Sequence, residues 1–321
     1  TCEYEASEDE ERLWRRSEAE QKVLNGSGLI YEDDELYDYL YQVARKLQPP
    51  EIWAQMPFEI NVIESPHLNA FAFPNGVFYI HTGILARMDN EAQLAALLGH
   101  EMTHCTHRHA LRTLRYVKDI TLFLAGGQES TIESGGMGNL GRVLGTLGSR
   151  ISRSGYSQEL ETEADLVGLG LMAKAGYDPS EALKLFEHLE RERDEENLRE
   201  PFFFGTHPRL HKRMENCENF LKKKSVRSET QPKKTEAFSE KTHKLILHNA
   251  WLDLKAGRFR SAQRGAEKYL RFKPNEARPY YLLGEIFRQR GEKGDDKRAK
   301  AYYGTAIALD PSYPDIHKAI G

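Results

Sequence analysis

The stretch GHEMTHCTHRHA, residues 99–110, brings four histidines and a glutamate into about three helical turns. It lies in a longer segment, residues 90–117, whose apolar residues recur with a period near 3.6 and predict one continuous helix. Within it, His100 and His104 belong to an HExxH sequence. Residues four apart on a helix face the same way, so both imidazoles could bind a single zinc ion.

A catalytic zinc ion needs a third protein ligand and one open coordination position. The best candidate is Glu161 in ELETEAD, on a second predicted helix from Ser157 to about Ala175. Asp165 follows Glu161 by four residues, so one carboxylate can bind the metal while the other accepts a hydrogen bond from a histidine ligand. Glu101, between the two histidines, would accept a proton from water. The pattern predicts a hydrolytic site with one Zn²⁺ per chain; an ordinary charged helix face is the alternative.

The polar residues next to these are expected to lie away from the metal. Glu159 and Glu163 do not share the four-residue spacing and are predicted to be solvated. His107 and His109 follow one to two turns beyond the ligands, where surface or packing roles are more common than metal binding. Cys105 is predicted to be a buried apolar residue.

Length and charge narrow the classes of function. A chain of 321 residues suggests about two domains, and a net charge of −4 offers no basic surface for nucleic acid. No run of about 18 apolar residues is present, so no transmembrane segment is predicted. The three cysteines have no CxxC spacing, which indicates neither a zinc ribbon nor a disulfide framework.

The sequence begins TCEYEASEDEE, with neither a methionine nor a charged-then-apolar leader. This start suggests that an upstream segment has been removed. Cys2 would then suit a lipid anchor added after export. The alternative is a lone exposed thiol in a flexible tail.

The order of elements predicts an α+β, mainly α chain. Two amphipathic helices, at residues 8–24 and 34–47, precede the only clear β region, which has three short strands in FEINVIES, NAFAFPN and VFYIHTG. The glycine-rich residues 125–148 predict a lid over the site or plain disorder.

The C-terminal part has a repeating helical pattern. Charged residues 225–241 predict a linker, and beyond them two helix pairs end at Pro274 and Pro311, 37 residues apart. This matches the 34-residue tetratricopeptide repeat (TPR) with a short insertion, or a generic pair of helical hairpins. The predicted domains are a zinc metallopeptidase domain at 1–224 and, after the linker, an all-α TPR-type repeat domain at 242–321.

Four segments together resemble one known family. They are NAFAFPNGVFYIHTGIL, NEAQLAALLGHEMTHCTHRHA, GYSQELETEADLVGLGLMAKAGYDP and THPRLHKRM. They occur in the order found in the HtpX-like and CaaX-prenyl-protease-type zinc metallopeptidases, within the gluzincins. The resemblance implies a zincin-like domain with His100, His104 and Glu161 as zinc ligands, Glu101 as catalytic acid/base and Asp165 as the supporting carboxylate.

The same resemblance points to two further residues. His207 matches a family histidine near the metal, where it could stabilise the oxyanion as a catalytic residue or close the open coordination position as a latch. Arg213 matches a family arginine in the same segment.

The absence of a transmembrane segment disfavours integral prenyl-protein processing. A protease domain followed by TPR repeats resembles the periplasmic BepA-type proteins, which act on outer-membrane proteins as protease and chaperone. We therefore predict a zinc endopeptidase that acts on unfolded or misassembled proteins of the bacterial periplasm or envelope. Its repeats would recruit substrate or a protein partner, and a lipid on Cys2 would make it a lipoprotein. The alternative is a latched, largely inactive chaperone or TPR binding module that uses the zinc domain as a scaffold.

NAFAF is predicted to be an edge strand that pairs with an extended peptide, or a plain core strand. The sequence predicts no oligomeric state.

Overall fold

The structure is a computed structural model of the chain. The residues that it describes are 7–116, 156–196, 210–224 and 234–312. The predicted lid at 125–148, His207 and Cys2 lie outside these ranges. Among the helices of the described ranges, none combines the length and the apolar character needed to cross a membrane.

The described residues are mainly helical and include one three-stranded sheet, so the predicted α+β, mainly α class is confirmed. The elements are α1 (Glu8–Asn25), α2 (Asp34–Leu47), α3 (Pro50–Gln55), β1 (Glu59–Ile63), β2 (Ala70–Ala72), β3 (Val77–His81), α4 (Thr82–Arg87), α5 (Glu91–Thr106), α6 (Gln158–Lys174), α7 (Ser180–Glu195), α8 (Leu210–Lys224), α9 (Thr235–Lys255), α10 (Phe259–Leu270), α11 (Ala277–Arg290) and α12 (Asp295–Leu309). A further helical stretch covers residues 109–116.

The two N-terminal helices form where the amphipathic pattern predicts them. The side chain of Asp33 accepts a hydrogen bond from the backbone N–H of Leu36 and so caps the start of α2. α1 packs on the sheet, because Leu24 lies in one apolar cluster with residues of β1, β2 and β3. The indole of Trp14 also donates to the carbonyl of Pro74, 3.2 Å away, in the turn between β2 and β3.

The sheet has the order β1-β3-β2, with β3 in the centre. β1 runs parallel to β3, whereas β2 runs antiparallel to it. All five residues of β3 are buried, as expected for a central strand. β2 therefore lies at one edge, and it packs against α5, the helix that carries HExxH.

The N-terminus of α5 is fixed by a buried carboxylate, Glu91. Its two oxygens accept hydrogen bonds from the hydroxyls of Tyr39 at 2.8 Å and Tyr177 at 2.5 Å, and from the ammonium groups of Lys46 at 2.9 Å and Lys234 at 3.1 Å. Burial alone would raise the pKa of Glu91, but these donors lower it to about 2. One charged residue thus joins α5 to α2, to the turn between α6 and α7, and to the start of α9.

The prediction of one continuous helix over residues 90–117 is wrong at its centre. α5 ends at Thr106, and the helix resumes only at residue 109. Between the two helices, Arg108 has a φ of 53°, a left-handed conformation that ends a helix and is uncommon for a residue other than glycine. The turn at residues 107–108 thus follows His104 closely.

The C-terminal helices pack as two pairs, α9 with α10 and α11 with α12, and α10 also packs against α11. α9 begins at Thr235, within the segment 225–241 that the sequence predicts to be a linker. It also packs against α4 and α2, and its buried Phe238 and Ile246 share one apolar cluster with Leu94 of α5. The division into two domains, and the assignment of the helix pairs to TPR repeats, stay predictions.

Candidate metal centre

Two helices bring three potential metal ligands together. His100 and His104 project from α5, and Glu161 projects from the first turn of α6. The Nε2 atoms of the two histidines lie 3.0 Å apart, and the Glu161 carboxylate oxygens lie 3.5 Å from His100 Nε2 and 3.6 Å from His104 Nε2. Among the described residues, this is the group of three His, Cys, Asp or Glu side chains whose ligand atoms could hold one ion.

The spacing of these atoms suits zinc. Zinc binds histidine nitrogens and carboxylate oxygens at about 2.0–2.2 Å in tetrahedral geometry, which places neighbouring ligand atoms roughly 3.3 Å apart. The two Nε2 atoms are 3.0 Å apart, and Glu161 Oε2 and Oε1 lie 3.5 and 3.6 Å from His100 Nε2 and His104 Nε2, respectively, on either side of that value. The three donors leave the fourth tetrahedral position for water or substrate.

The charges around the three donors also fit a divalent cation. Glu101, Glu161 and Asp165 are all buried, and the buried guanidinium of Arg213 supplies one positive charge against these three carboxylates. Buried carboxylates of this kind stabilise a cation that is bound beside them.

Asp165 and Arg213 lie behind His100. The Oδ1 atom of Asp165 is 3.1 Å from His100 Nδ1, and it accepts hydrogen bonds from Arg213 Nε at 2.9 Å and Nη2 at 2.7 Å. Burial alone would lower the pKa of Arg213, but the charges of Asp165 and Glu161 raise it above its usual value. His100 Nδ1 also lies 3.0 Å from Arg213 Nη2. With the proton of His100 on Nδ1 and Asp165 as its acceptor, the Nε2 lone pair would face His104 and Glu161.

Glu101 is 1% exposed and lies on α5 between the two histidines. Its charge is among the causes that, after burial, raise the pKa of the Tyr156 hydroxyl and of the Cys105 thiol. Cys105 is buried, as predicted, and its Sγ donates to the carbonyl of Phe73 just beyond β2.

Two residues that the sequence does not reveal as part of the site contact His104. The ring of Tyr156 stacks on the imidazole of His104, with ring centroids 4.1 Å apart and planes inclined by 16°. His109 Nδ1 lies 2.8 Å from His104 Nδ1. Burial lowers the pKa of His109 to about 4. Glu163 is only partly solvated, because Arg112 donates to it over 2.7 Å.

A contact between two glycines sets how closely α5 and α6 approach. A Cβ atom on Gly168 would lie 3.0 Å from the backbone nitrogen of His100 and 3.1 Å from the carbonyl carbon of Gly99. Side chains larger than hydrogen at this crossing would push the two helices apart. Because α5 carries both histidines and α6 carries Glu161, the glycines keep the three potential ligands within reach of one ion.

Gly168→Ala should therefore destabilise the protein by about 1–3 kcal/mol, the usual cost of adding a methyl group to a tightly packed contact. It should also weaken zinc binding, because it moves Glu161 away from the histidines. Gly170→Ala is the matched control, since nothing lies within 4 Å of a Cβ atom there and alanine favours the helix. Urea unfolding and zinc competition with a chelator measure both effects. Equal stability and zinc affinity in the two variants would contradict this role for the crossing.

A family comparison places the chain in a class of enzyme. The model of Peptidase family M48 matches residues 32–220, more than half of the chain. The chain belongs to peptidase family M48. The M48 segment runs from the residues before α2 into α8, so it contains all the described residues of the metal centre. The resemblance to zinc metallopeptidases with a zincin-like domain is confirmed at this level, whereas the HtpX-like and CaaX subgroup stays a prediction.

The chain is also similar to curated proteases. It is 30% identical over 194 residues to mitochondrial metalloendopeptidase OMA1 of Schizosaccharomyces pombe, covering 60% of this chain and 55% of that protein. It is 28% identical over 202 residues to the beta-barrel assembly-enhancing protease of Escherichia coli, covering 62% of this chain and 41% of that protein. For mitochondrial metalloendopeptidase OMA1 of Saccharomyces cerevisiae the identity is 31% over 181 residues, covering 52% and 48%. The chain thus spans about half the length of these relatives.

Proposed function

We propose that the chain is a zinc-dependent endopeptidase that hydrolyses peptide bonds of unfolded or misassembled proteins in the bacterial cell envelope. The observation that carries the proposal is the convergence of His100, His104 and Glu161, with Glu101 on the same helix as the two histidines. Membership of family M48 supports peptide hydrolysis. The similarity to a beta-barrel assembly-enhancing protease supports the envelope as the place of action.

The chemistry follows from the four side chains. His100, His104 and Glu161 would hold a zinc ion, which would supply Lewis-acid activation of a water molecule and of the substrate carbonyl. Glu101 accepts a proton from the water and later donates it to the leaving amine. Asp165 holds the proton of His100 on Nδ1. For His207, the two predicted roles, support of the oxyanion and a latch, both stay open to experiment.

β2 is the proposed place where substrate binds. In the described part of the chain β2 pairs with β3 on one side, and it packs against α5. An extended peptide that adds to the edge of the sheet would lie next to the HExxH helix. It would be bound through main-chain hydrogen bonds rather than through its side chains. This mode of binding favours unfolded polypeptides, because a folded protein rarely offers a free extended strand.

The C-terminal helices and the N-terminus have proposed roles beyond the chemistry. We assign α9 to α12 to TPR-type repeats that recruit substrate or a protein partner. Periplasmic location fits the bacterial relatives named as beta-barrel assembly-enhancing proteases. A lipid on Cys2 would hold the enzyme at a membrane surface.

Zinc content tests the proposal most directly. After extensive dialysis, the wild-type chain should carry about one zinc ion and should cleave an unfolded protein substrate. Glu161→Ala should lose both, because two histidine ligands alone hold zinc weakly. Glu159→Ala, an exposed position on the same helix, should keep both. A wild-type chain without zinc, or zinc that is retained in Glu161→Ala, would contradict the proposed site.

A further inference from the structure

The second histidine ligand has a partner on the side that faces away from the metal. His104 Nδ1 and His109 Nδ1 lie 2.8 Å apart, which is hydrogen-bond distance. In a neutral imidazole one ring nitrogen donates and the other accepts. The contact is therefore a hydrogen bond only if one of the two Nδ1 atoms carries a proton and the other does not.

The position of the ligands decides which ring donates. His104 directs Nε2 towards His100 Nε2, at 3.0 Å, and towards Glu161, at 3.6 Å. That nitrogen needs its lone pair to bind a metal, so the proton of a neutral His104 must be on Nδ1. His104 is thus the donor and His109 the acceptor. The proton of His109 is then on Nε2, which lies 3.5 Å from an oxygen of Glu163.

Glu163 is itself held in place at the surface. Arg112 donates to Glu163 over 2.7 Å, and His107 approaches it at 3.9 Å. His109 is fully buried, whereas the side chain of Glu163 is 32% exposed. A chain of polar contacts thus runs from the metal centre through His104, His109 and Glu163 to Arg112.

Both histidine ligands are supported in the same way. Behind His100 stands an acceptor, Asp165, that is held by Arg213. His104 Nδ1 likewise faces an acceptor, His109, whose Nε2 lies near the carboxylate of Glu163, and Arg112 holds that carboxylate. Acceptors of this kind fix the tautomer and the orientation of a metal-binding imidazole, and their loss typically costs 10–100-fold in metal affinity.

We propose that His109 is a positioning residue of the metal centre, which accepts the Nδ1 proton of His104 and so keeps Nε2 available for zinc. The proposal rests on the zinc site under Proposed function and extends it to a residue outside the ligand set. The turn at Arg108 makes this role possible. It lets a residue five positions after His104 fold back onto the same imidazole.

Zinc affinity of the full chain, measured by competition with a chelator at neutral pH, tests this role. His109→Phe keeps a ring in the buried site but removes the acceptor, so zinc affinity should fall about 10–100-fold. His109→Asn should restore most of the loss, because its Oδ1 can occupy the place of Nδ1. His211→Phe is the control, since it makes the same change at a histidine whose side chain is 83% exposed. The absorption spectrum of the cobalt-substituted proteins should change in His109→Phe and return towards wild type in His109→Asn.

If His109→Phe does not fold, as judged by circular dichroism, His109→Asn and His109→Gln decide the matter. Gln places its amide nearer to Nε2, so only Asn should keep the zinc affinity. The proposal would be overturned if His109→Phe bound zinc as tightly as wild type. It would also be overturned if His109→Asn lost as much zinc affinity as His109→Phe or His109→Gln. If wild type holds zinc through Glu161 but is indifferent to His109, only this inference fails; a wild type without zinc removes the proposed function as well.

Discussion

Replacing Glu101 by glutamine should lower kcat for cleavage of an unfolded protein by about 10²–10⁴-fold, the usual contribution of a general base. The variant should still bind about one zinc ion per chain. Glutamine has nearly the shape of glutamate but cannot accept a proton from water at neutral pH. Glu101 also stands outside the group of three converging ligand atoms, so its loss should not remove a metal ligand. Kinetics and zinc content, measured on the same preparation, separate the two roles.

Glu159→Gln is the matched control for Glu101→Gln. It makes the same chemical change at an exposed position of α6 and should leave both kcat and zinc content at wild-type values. Cleavage by Glu101→Gln at the wild-type rate would contradict the proposed mechanism. A wild type that is replete with zinc but does not cleave would favour the alternative of a latched chaperone.

Local spacing made most of the metal centre predictable. The four-residue interval places His100 and His104 on one face of a helix whatever the rest of the chain does, and the same interval relates Glu161 to Asp165. The meeting of the two helices could not be derived in this way. It depends on the close approach at Gly99 and Gly168, and nothing in a single sequence pairs one glycine with the other.

The role of His109 was hidden by a backbone conformation. In a continuous helix, a residue five positions after His104 points to a different face, so the sequence predicts a packing or surface role for His109. The left-handed conformation at Arg108 has no sequence signal, because glycine and asparagine are the residues that usually adopt it. An ion pair with Glu10 of α1, at 3.2 Å, accompanies this turn. The contact that α1 makes there was not predictable from spacing either.

The first residue of the C-terminal helices could not be predicted because the segment that contains it is highly charged. Residues 225–241 have few apolar side chains, and this composition is typical of a linker. The structure nevertheless starts α9 at Thr235, because Phe238 is fully buried in the core that includes α2 and α5. The contacts of Phe238 with this core depend on tertiary structure. One apolar residue in a charged segment is not enough to predict them.

Arg87→Ala should lower the free energy of unfolding by about 3–5 kcal/mol, the cost of leaving buried carboxylates without their partner. Arg87 lies at the end of α4, and its side chain is 8% exposed. Its Nε donates to Glu192 of α7 at 2.7 Å, and its Nη2 donates to Asp253 of α9 at 2.8 Å. Asn249 extends the network, since it donates to Asp253 and accepts from Thr82.

The decrease in the free energy of unfolding caused by Arg87→Ala should depend on pH. Burial alone raises the pKa of both carboxyls, and Arg87 opposes this effect; the pKa of Glu192 is lowered to about 2, while that of Asp253 stays raised at about 7. Without Arg87, both pKa values rise in the folded state but not in the unfolded state. The folded variant then favours protonated carboxyls, so its deficit should be larger at pH 8 than at pH 5.

Urea unfolding of Arg87→Ala and of a control at both pH values measures this deficit. Arg288→Ala removes an ion pair with Glu285 whose arginine side chain is 51% exposed, and such a pair contributes no more than about 1 kcal/mol. Because Arg87 joins α4 and α7 to α9, the metallopeptidase helices and the C-terminal helices should unfold in one transition in wild type. Two separate transitions, or a deficit no larger than that of Arg288→Ala, would mean that the predicted repeat domain is only loosely attached. A single transition that moves to lower urea in Arg87→Ala would mean that the C-terminal helices help to hold α4, and with it the sheet and α5, in place.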